Sequence, residues 1–141
     1  MENELSPGEK LLNALVPFAQ QQLDKYGEFV PFAAMMTLDG EGHLGMAGES
    51  DKDGIALSQE SIDRIVLAHK KEAEKGNLIA SAICFDTKVS KDGEGKQDAI
   101  CVAIEEKDGK SVNIFIPYKK NIFGKIKYGE LFASPKEINI F

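Results

Sequence analysis

The sequence has few of the residues on which metal binding and nucleophilic catalysis depend, with two cysteines and two histidines among 141 residues. A structural zinc site would need all four as ligands, and no pair of them has the close spacing that such sites usually show. Cys84 and Cys101 lie within apolar runs, where ionisation to the reactive thiolate is disfavoured. The sequence therefore argues against zinc and predicts that both cysteines are reduced core residues.

The chain also lacks a basic excess and a long apolar run. Its net charge is −6, which works against non-specific attraction to nucleic-acid phosphates and to anionic membrane surfaces. No apolar run approaches the roughly 18 residues of a spanning helix, and the first ten residues lack the order of a signal peptide. We therefore expect a cytoplasmic protein whose partner is neither a nucleic acid nor a membrane.

Two helices are predicted from capping signals and from apolar periodicity. The sequence SPGE at positions 6–9 forms a capping box with proline at the first helical position, and Gly27 is a natural stop. The second helix is predicted from an N-cap at Ser58 to a stop at Gly76, with His69 on its apolar stripe. A lone histidine on such a stripe is usually packed and hydrogen-bonded, so a structural role is expected.

About six strands are predicted from apolar runs separated by turn residues. A hairpin around "DGEGH" lies between the helices, and Pro31 places its first strand near a sheet edge or at a strand start. Short polar turns favour antiparallel pairing, which gives a single α+β domain over residues 1–141 with the order α-β-β-α-β-β-β-β. The four runs after the second helix are Leu78–Lys88, Ala99–Glu106, Ser111–Tyr118 and Lys125–Ala133.

The stretch "ESDKDGIALSQE", residues 49–60, matches part of the calcium-loop template. That template has oxygen ligands at positions 1, 3 and 5, glycine at 6 and a bidentate glutamate at 12. However, position 1 is normally aspartate, "HLGMAG" is a poor entering helix, and no second copy is present to pair with. The other interpretation is a solvated acidic turn ahead of a helix. The residues that meet the template are Glu49, Asp51, Asp53, Gly54 and Glu60.

The stretch "IPYKKNIFGKIKYGELF", residues 116–132, interleaves lysines with aromatic residues. Such a mixture can bind single-stranded nucleic acid by stacking on the rings while lysines meet the phosphates. The alternative is a final hairpin whose aromatic residues pack inward and whose lysines protect an exposed edge from pairing. The second interpretation is favoured, because the stretch has no arginine and the chain is acidic.

Several segments resemble a group of small bacterial proteins that share a GEFxPF opening, a DAI strand and a PY strand end. The matching segments are "YGEFVPFAAMMTLDGEG", "DAICVAIEEKDG", "IPYKK" and "YGELFASPKEINIF". The resemblance covers most of the chain from Gly27 onward. It implies a bacterial cytoplasmic protein and supplies no catalytic residues.

Phenylalanine and proline residues near strand ends are candidate partner-binding residues, since they can line a groove for a peptide or a second subunit. They can equally fill the end of the core, and strand alternation should place at least one of Phe29 and Phe32 inside. The candidate set is Glu28, Phe29, Pro31, Phe32, Pro117 and Tyr118.

These observations favour a small acidic protein-interaction domain without catalytic activity, of an immunity or regulatory type, that binds a protein partner or a second copy of itself. An acidic surface would steer it towards a cationic target. The alternative is a domain that binds a ligand or calcium, or an enzyme, with its site at the acidic loop of residues 49–60 and at Asp39, Glu41 and His43. Apart from calcium in that alternative, no cofactor is expected.

Overall fold

The computed structural model describes residues 5–46, 58–90 and 95–141, and these form two helices and an antiparallel sheet. The predicted α+β class and element order are confirmed. The elements are α1 (Pro7–Tyr26), β1 (Phe32–Thr37), β2 (Gly42–Met46), α2 (Ser58–Glu74), β3 (Leu78–Val89), β4 (Gln97–Glu106), β5 (Ser111–Lys120), β6 (Ile126–Tyr128) and β7 (Phe132–Pro135).

The strands follow the sheet order β2-β1-β3-β4-β5-β6, with every neighbouring pair antiparallel, and β7 pairs with β5 beside this path. Short turns join most sequential strands, and the β4–β5 turn has Gly109 at a φ of 109°, a conformation that favours glycine. β1 begins directly after Pro31 and lies between β2 and β3. Of the two positions expected for Pro31, the strand start is therefore the observed one.

The last predicted strand, Lys125–Ala133, divides into two short strands in the structure. β6 pairs with Tyr118–Lys120 and β7 pairs with Val112–Phe115, so the two strands lie on either side of Pro117. Proline has no N–H to donate to a ladder, which explains why regular pairing breaks there. The Pro117 carbonyl still accepts a hydrogen bond from the Gly129 backbone N–H at 2.7 Å.

Helix α1 covers one face of the sheet. Its predicted capping box is present, because the Ser6 hydroxyl accepts from the Glu9 N–H and the Glu9 carboxylate accepts from the Ser6 N–H. The buried side chains along one side of α1 pack on alternate residues of β1, β3, β4 and β5. The burial of these apolar side chains stabilises the fold. The helix contributes Leu11, Leu15, Ala19 and Leu23 to this core, and the strands contribute Phe32, Ala34, Ala82, Cys84, Ile100, Val102 and Ile116, among others.

Helix α2 covers part of the opposite face, over β1 and β3. Ile65 packs against Ala33, Ile83 and Ala103 in a second, smaller apolar cluster. Helix α2 begins at Ser58, within one residue of the predicted start, while Leu57 lies outside the described residues. Neither helix is long and apolar enough to cross a bilayer in the part of the chain that the structure describes.

Candidate functional site

The turn between β5 and β6 holds two large apolar side chains in solvent. Ile122 is 93% exposed and Phe123 is 81% exposed. The Asn121 side-chain oxygen accepts from the backbone N–H groups of Phe123 at 2.8 Å and of Lys125 at 3.0 Å. The Asn121 N–H donates to the Lys125 carbonyl at 2.9 Å, and Gly124 adopts a φ of 78°. The backbone of the turn is therefore fixed by its own hydrogen bonds while its apolar side chains remain exposed. We call Ile122 and Phe123 the hairpin tip.

The base of this hairpin is anchored to the core. Tyr118 is buried, its ring centroid lies 6.4 Å from that of Tyr128, and its hydroxyl donates to the Asp86 carboxylate at 2.7 Å. Burial raises the pKa of the Tyr118 hydroxyl, and the Asp86 carboxylate raises it further. Burial together with Asp24 raises the pKa of Tyr128 to about 12. Both hydroxyls stay protonated near neutral pH and act as hydrogen-bond donors to the framework.

The hairpin carries a local positive charge. The segment from Tyr118 to Tyr128 contains four lysines and no acidic residue, in a chain whose net charge is −6. Lys120 donates to the Gly27 carbonyl at 2.6 Å, which ties the hairpin to the end of α1. Two open hollows of about 510 and 480 Å³ flank the hairpin, and both include Lys119 and Lys120 in their walls. The first also includes Lys96 and one acidic residue, Asp98. The tip is therefore an apolar projection with a basic surround.

The aromatic residues of this segment only partly follow the prediction that they pack inward. Tyr118 is buried and Tyr128 is half-buried, whereas Phe123 projects into solvent, so the prediction is wrong for Phe123. The physical reason is its position in a four-residue turn, Asn121 to Gly124, whose central side chains lie beyond the end of both strands. The sequence "NIFG" between two strand-like runs is the signal that could have identified the tip.

The six candidate partner-binding residues lie mainly in the interior. Phe32 is 1% exposed and packs edge-on against Phe29 and Phe18, at centroid distances of 5.8 and 4.9 Å. Tyr118 is 2% exposed. Pro31 and Pro117 are buried, Phe29 is half-buried and Glu28 is exposed. The expectation that at least one of Phe29 and Phe32 is internal is met by Phe32, and most of the set fills the core.

The acidic loop of residues 49–60 lies largely outside the described residues. Glu49, Asp51, Asp53 and Gly54 belong to the segment that the structure does not describe. Glu60 lies in the first turn of α2, exposed, with its carboxylate 3.9 Å from Arg64. Both interpretations of this loop, the calcium site and the solvated acidic turn ahead of a helix, therefore stay predictions.

Asp39, Glu41 and His43 come together at the β1–β2 turn. One ligand atom from each lies within 4.8 Å of the others, and all three residues are exposed. The Thr37 hydroxyl donates to the Asp39 carboxylate at 2.5 Å, and the Glu41 N–H donates to the same oxygen at 3.0 Å. These two hydrogen bonds lower the pKa of Asp39. They also link the residues of the turn to one another.

The other histidine and the two cysteines are buried and have structural roles. The His69 Nδ1 atom lies 2.6 Å from the Ser81 hydroxyl, and burial lowers the pKa of His69 to about 4. The predicted packed and hydrogen-bonded position of His69 is confirmed. Cys84 and Cys101 are buried and unpaired with each other by a disulfide, and burial raises the pKa of both thiols, to about 12 for Cys101. Both remain protonated thiols in the core, as the sequence predicts.

Comparisons of this chain with protein-family models, with curated proteins and with solved structures find no match. The resemblance to the GEFxPF group therefore stays an expectation, and functional arguments rest on the geometry of the chain itself.

Proposed function

We propose that this chain is a non-catalytic protein-interaction domain that binds its partner through the hairpin tip. The single observation that carries this proposal is the exposure of Ile122 and Phe123, at 93% and 81%, on a turn whose backbone is hydrogen-bonded into one conformation. Large apolar side chains gain nothing for folding at such a position. Their removal from water by another molecule is favourable, so they stabilise a complex.

The rigidity of the turn supports a binding role. Ordering loops and side chains at an interface has an entropy cost that lowers affinity. A segment that is already ordered before binding has a smaller cost. Asn121 fixes the turn, Lys120 fixes the strand to Gly27, and Tyr118 fixes the base to Asp86. An aromatic side chain presented on such a support is typical of the few interface residues that carry most of the binding energy.

The interior supports a role without catalysis. Burial disfavours the reactive thiolate of Cys84, which packs in the main core, and of Cys101, which lies beside Asn113 of the neighbouring strand. His69 is buried and hydrogen-bonded to Ser81, so its imidazole is not open to a substrate. In this proposal, the chain is a small acidic cytoplasmic binding domain of the immunity or regulatory type. Its partner is a protein that offers a pocket for the tip.

Site-specific photocrosslinking tests this proposal. A photoreactive phenylalanine analogue is placed at Phe123 and, as a matched control, at Leu67, which is 54% exposed on α2. Helix α2 packs over β1 and β3, away from β6, so the two probes sample separate surfaces. In cells that produce the protein, we expect one protein adduct from position 123 and none from position 67. Equal labelling at the two positions, or no protein adduct at 123, contradicts the proposal.

A further inference from the structure

We infer that the hairpin tip binds an apolar pocket rimmed by carboxylates, so that the partner is acidic where it contacts this chain. The inference rests on the proposed function and names the chemistry of its partner. It reverses the expectation from net charge, which favours a cationic target. The reason is that charge is unevenly distributed, with four lysines and no acidic residue between Tyr118 and Tyr128.

Two of the lysines lie opposite each other across the β5–β6 strand pair, and their repulsion destabilises the free protein. Lys119 in β5 and Lys127 in β6 are direct cross-strand partners. Like charges directly opposite each other destabilise a strand pair. Within residues 5–46, 58–90 and 95–141, no ion pair joins Lys119, Lys120, Lys125 or Lys127 to a carboxylate. The hairpin therefore has a positive charge that an anionic partner could neutralise.

The lysines surround the apolar tip on both strands. Lys119 and Lys120 precede the turn, and Lys125 and Lys127 follow it. A partner that encloses Ile122 and Phe123 must bring the rim of its pocket close to these ammonium groups. Complementary charges at such a rim steer association, while like charges suppress it. Carboxylates at the rim would pair with the lysines, and an apolar floor would bury the side chains of the tip.

The composition of the hairpin favours a protein over a phosphate-rich ligand. The segment contains no arginine, the side chain best suited to bidentate phosphate recognition. Binding of single-stranded nucleic acid uses successive exposed rings, and here only Phe123 is exposed while Tyr118 and Tyr128 pack at the base. The aliphatic Ile122 beside Phe123 calls for an apolar pocket of protein.

The probe is the partner protein that the photoreactive group at position 123 captures. It is identified from the adduct and then purified by itself, without a crosslink. Its affinity is measured for the wild-type chain and for the variants Lys127→Glu and Lys127→Gln at about 50 and 500 mM salt. We expect Lys127→Glu to weaken binding about tenfold or more at low salt, Lys127→Gln to weaken it less, and the difference to shrink at high salt. Lys127→Glu should also raise the thermal midpoint, because it places opposite charges across the strand pair with Lys119.

The outcomes separate the inference from the proposed function. If Lys127→Glu binds as the wild type does, or binds more tightly, the partner surface is not acidic and the lysines only protect the edge strand. In that case the crosslink at Phe123 still supports the proposed function. If no protein crosslinks at Phe123, both fail. Lysine-dependent binding of the chain to phosphatidylcholine–phosphatidylglycerol vesicles or to oligo-dT at the same salt, without affinity for the probe protein, also overturns the inference.

Discussion

Glu105 and Glu106 are neighbours in β4 whose carboxylates bond to segments on opposite faces of the sheet. The Glu106 carboxylate accepts from the Ser6 hydroxyl at 2.7 Å and from the Gly8 N–H at 3.0 Å, at the first turn of α1. The Glu105 carboxylate accepts from the Ile140 N–H at 2.8 Å and from the N–H groups of Asn139 and Phe141. One dipeptide of the central sheet thus holds two segments that are distant in sequence.

Replacement of Glu105 by alanine should strongly destabilise the fold. Lys136 donates to this buried carboxylate, and burial alone would raise the pKa of Glu105, yet the Lys136 ammonium and the backbone donors hold it below its usual range. Removing one partner of a buried pair leaves the other charge uncompensated, at a cost of about 3 kcal/mol. Urea unfolding measures this change. The control is Glu137→Ala, because Glu137 is exposed and follows Lys136 in the sequence. Its free energy of unfolding should stay close to that of the wild type, and equal stability of the two variants would contradict the account.

Replacement of Gly8 by alanine should destabilise the protein, although alanine is the better helix former. A Cβ at position 8 would lie 2.5 Å from Ile104 Cγ2 and 2.6 Å from Glu106 Oε2. Relief of such overpacking costs about 1 to 3 kcal/mol. Gly45→Ala is the control, because a Cβ there meets no atom within 4 Å. Calorimetric melting should show a lower midpoint for Gly8→Ala alone, and a rise in that midpoint would contradict the close packing of α1 against β4 at this position.

Stability should fall on acidification because of His69. Its folded pKa of about 4 lies below its usual value of 6.5, so the unfolded state binds the proton first as pH falls. The free energy of unfolding is unaffected by this group above pH 6.5 and decreases by about 3 kcal/mol as pH falls to 4. His69→Gln should remove this slope, whereas His43→Gln, at an exposed site, should retain it. Glu105, whose folded pKa is depressed, adds a further loss below about pH 4.5.

Calcium should leave the melting midpoint unchanged relative to excess chelator. Residues 49–60 depart from the calcium-loop template at position 1 and have no second copy with which to pair. Calcium takes six to eight oxygen ligands, whereas the cluster at the β1–β2 turn offers two carboxylates and an imidazole, and one Asp39 oxygen already accepts two hydrogen bonds. A calcium concentration of about 100 Kd would add about 2.7 kcal/mol to stability. A rise of that size with calcium and not with magnesium would move the functional site to residues 49–60.

Much of the fold could be predicted because its signals are local. The capping box at Ser6, the stop at Gly27 and the turn residues between strands each act within a few positions, and they fixed the element order. The division of the last strand was missed because it depends on Pro117, which lies in the neighbouring strand. Likewise, nothing near Glu105 indicates its burial, since its donors lie 31 to 36 residues further along the chain.

The candidate site was harder to predict because exposure depends on the geometry of the turn. The aromatic residues of the segment from Tyr118 to Tyr128 share similar sequence surroundings, yet Tyr118 is buried and Phe123 is exposed. The difference arises because β5 continues under α1 at Tyr118 and has ended at Phe123. Chain-average charge was equally uninformative, since it conceals the lysines on one hairpin.

The most direct test is the affinity of the protein captured at position 123 for the variant Phe123→Ser, compared with Leu67→Ser. Both side chains are exposed, so both variants should keep the wild-type unfolding midpoint. We predict that Phe123→Ser loses about 2 kcal/mol or more of binding free energy, as an anchoring aromatic residue does, and that Leu67→Ser binds normally. Unchanged affinity of Phe123→Ser, with an unchanged midpoint, would contradict the proposal that the hairpin tip is the docking element.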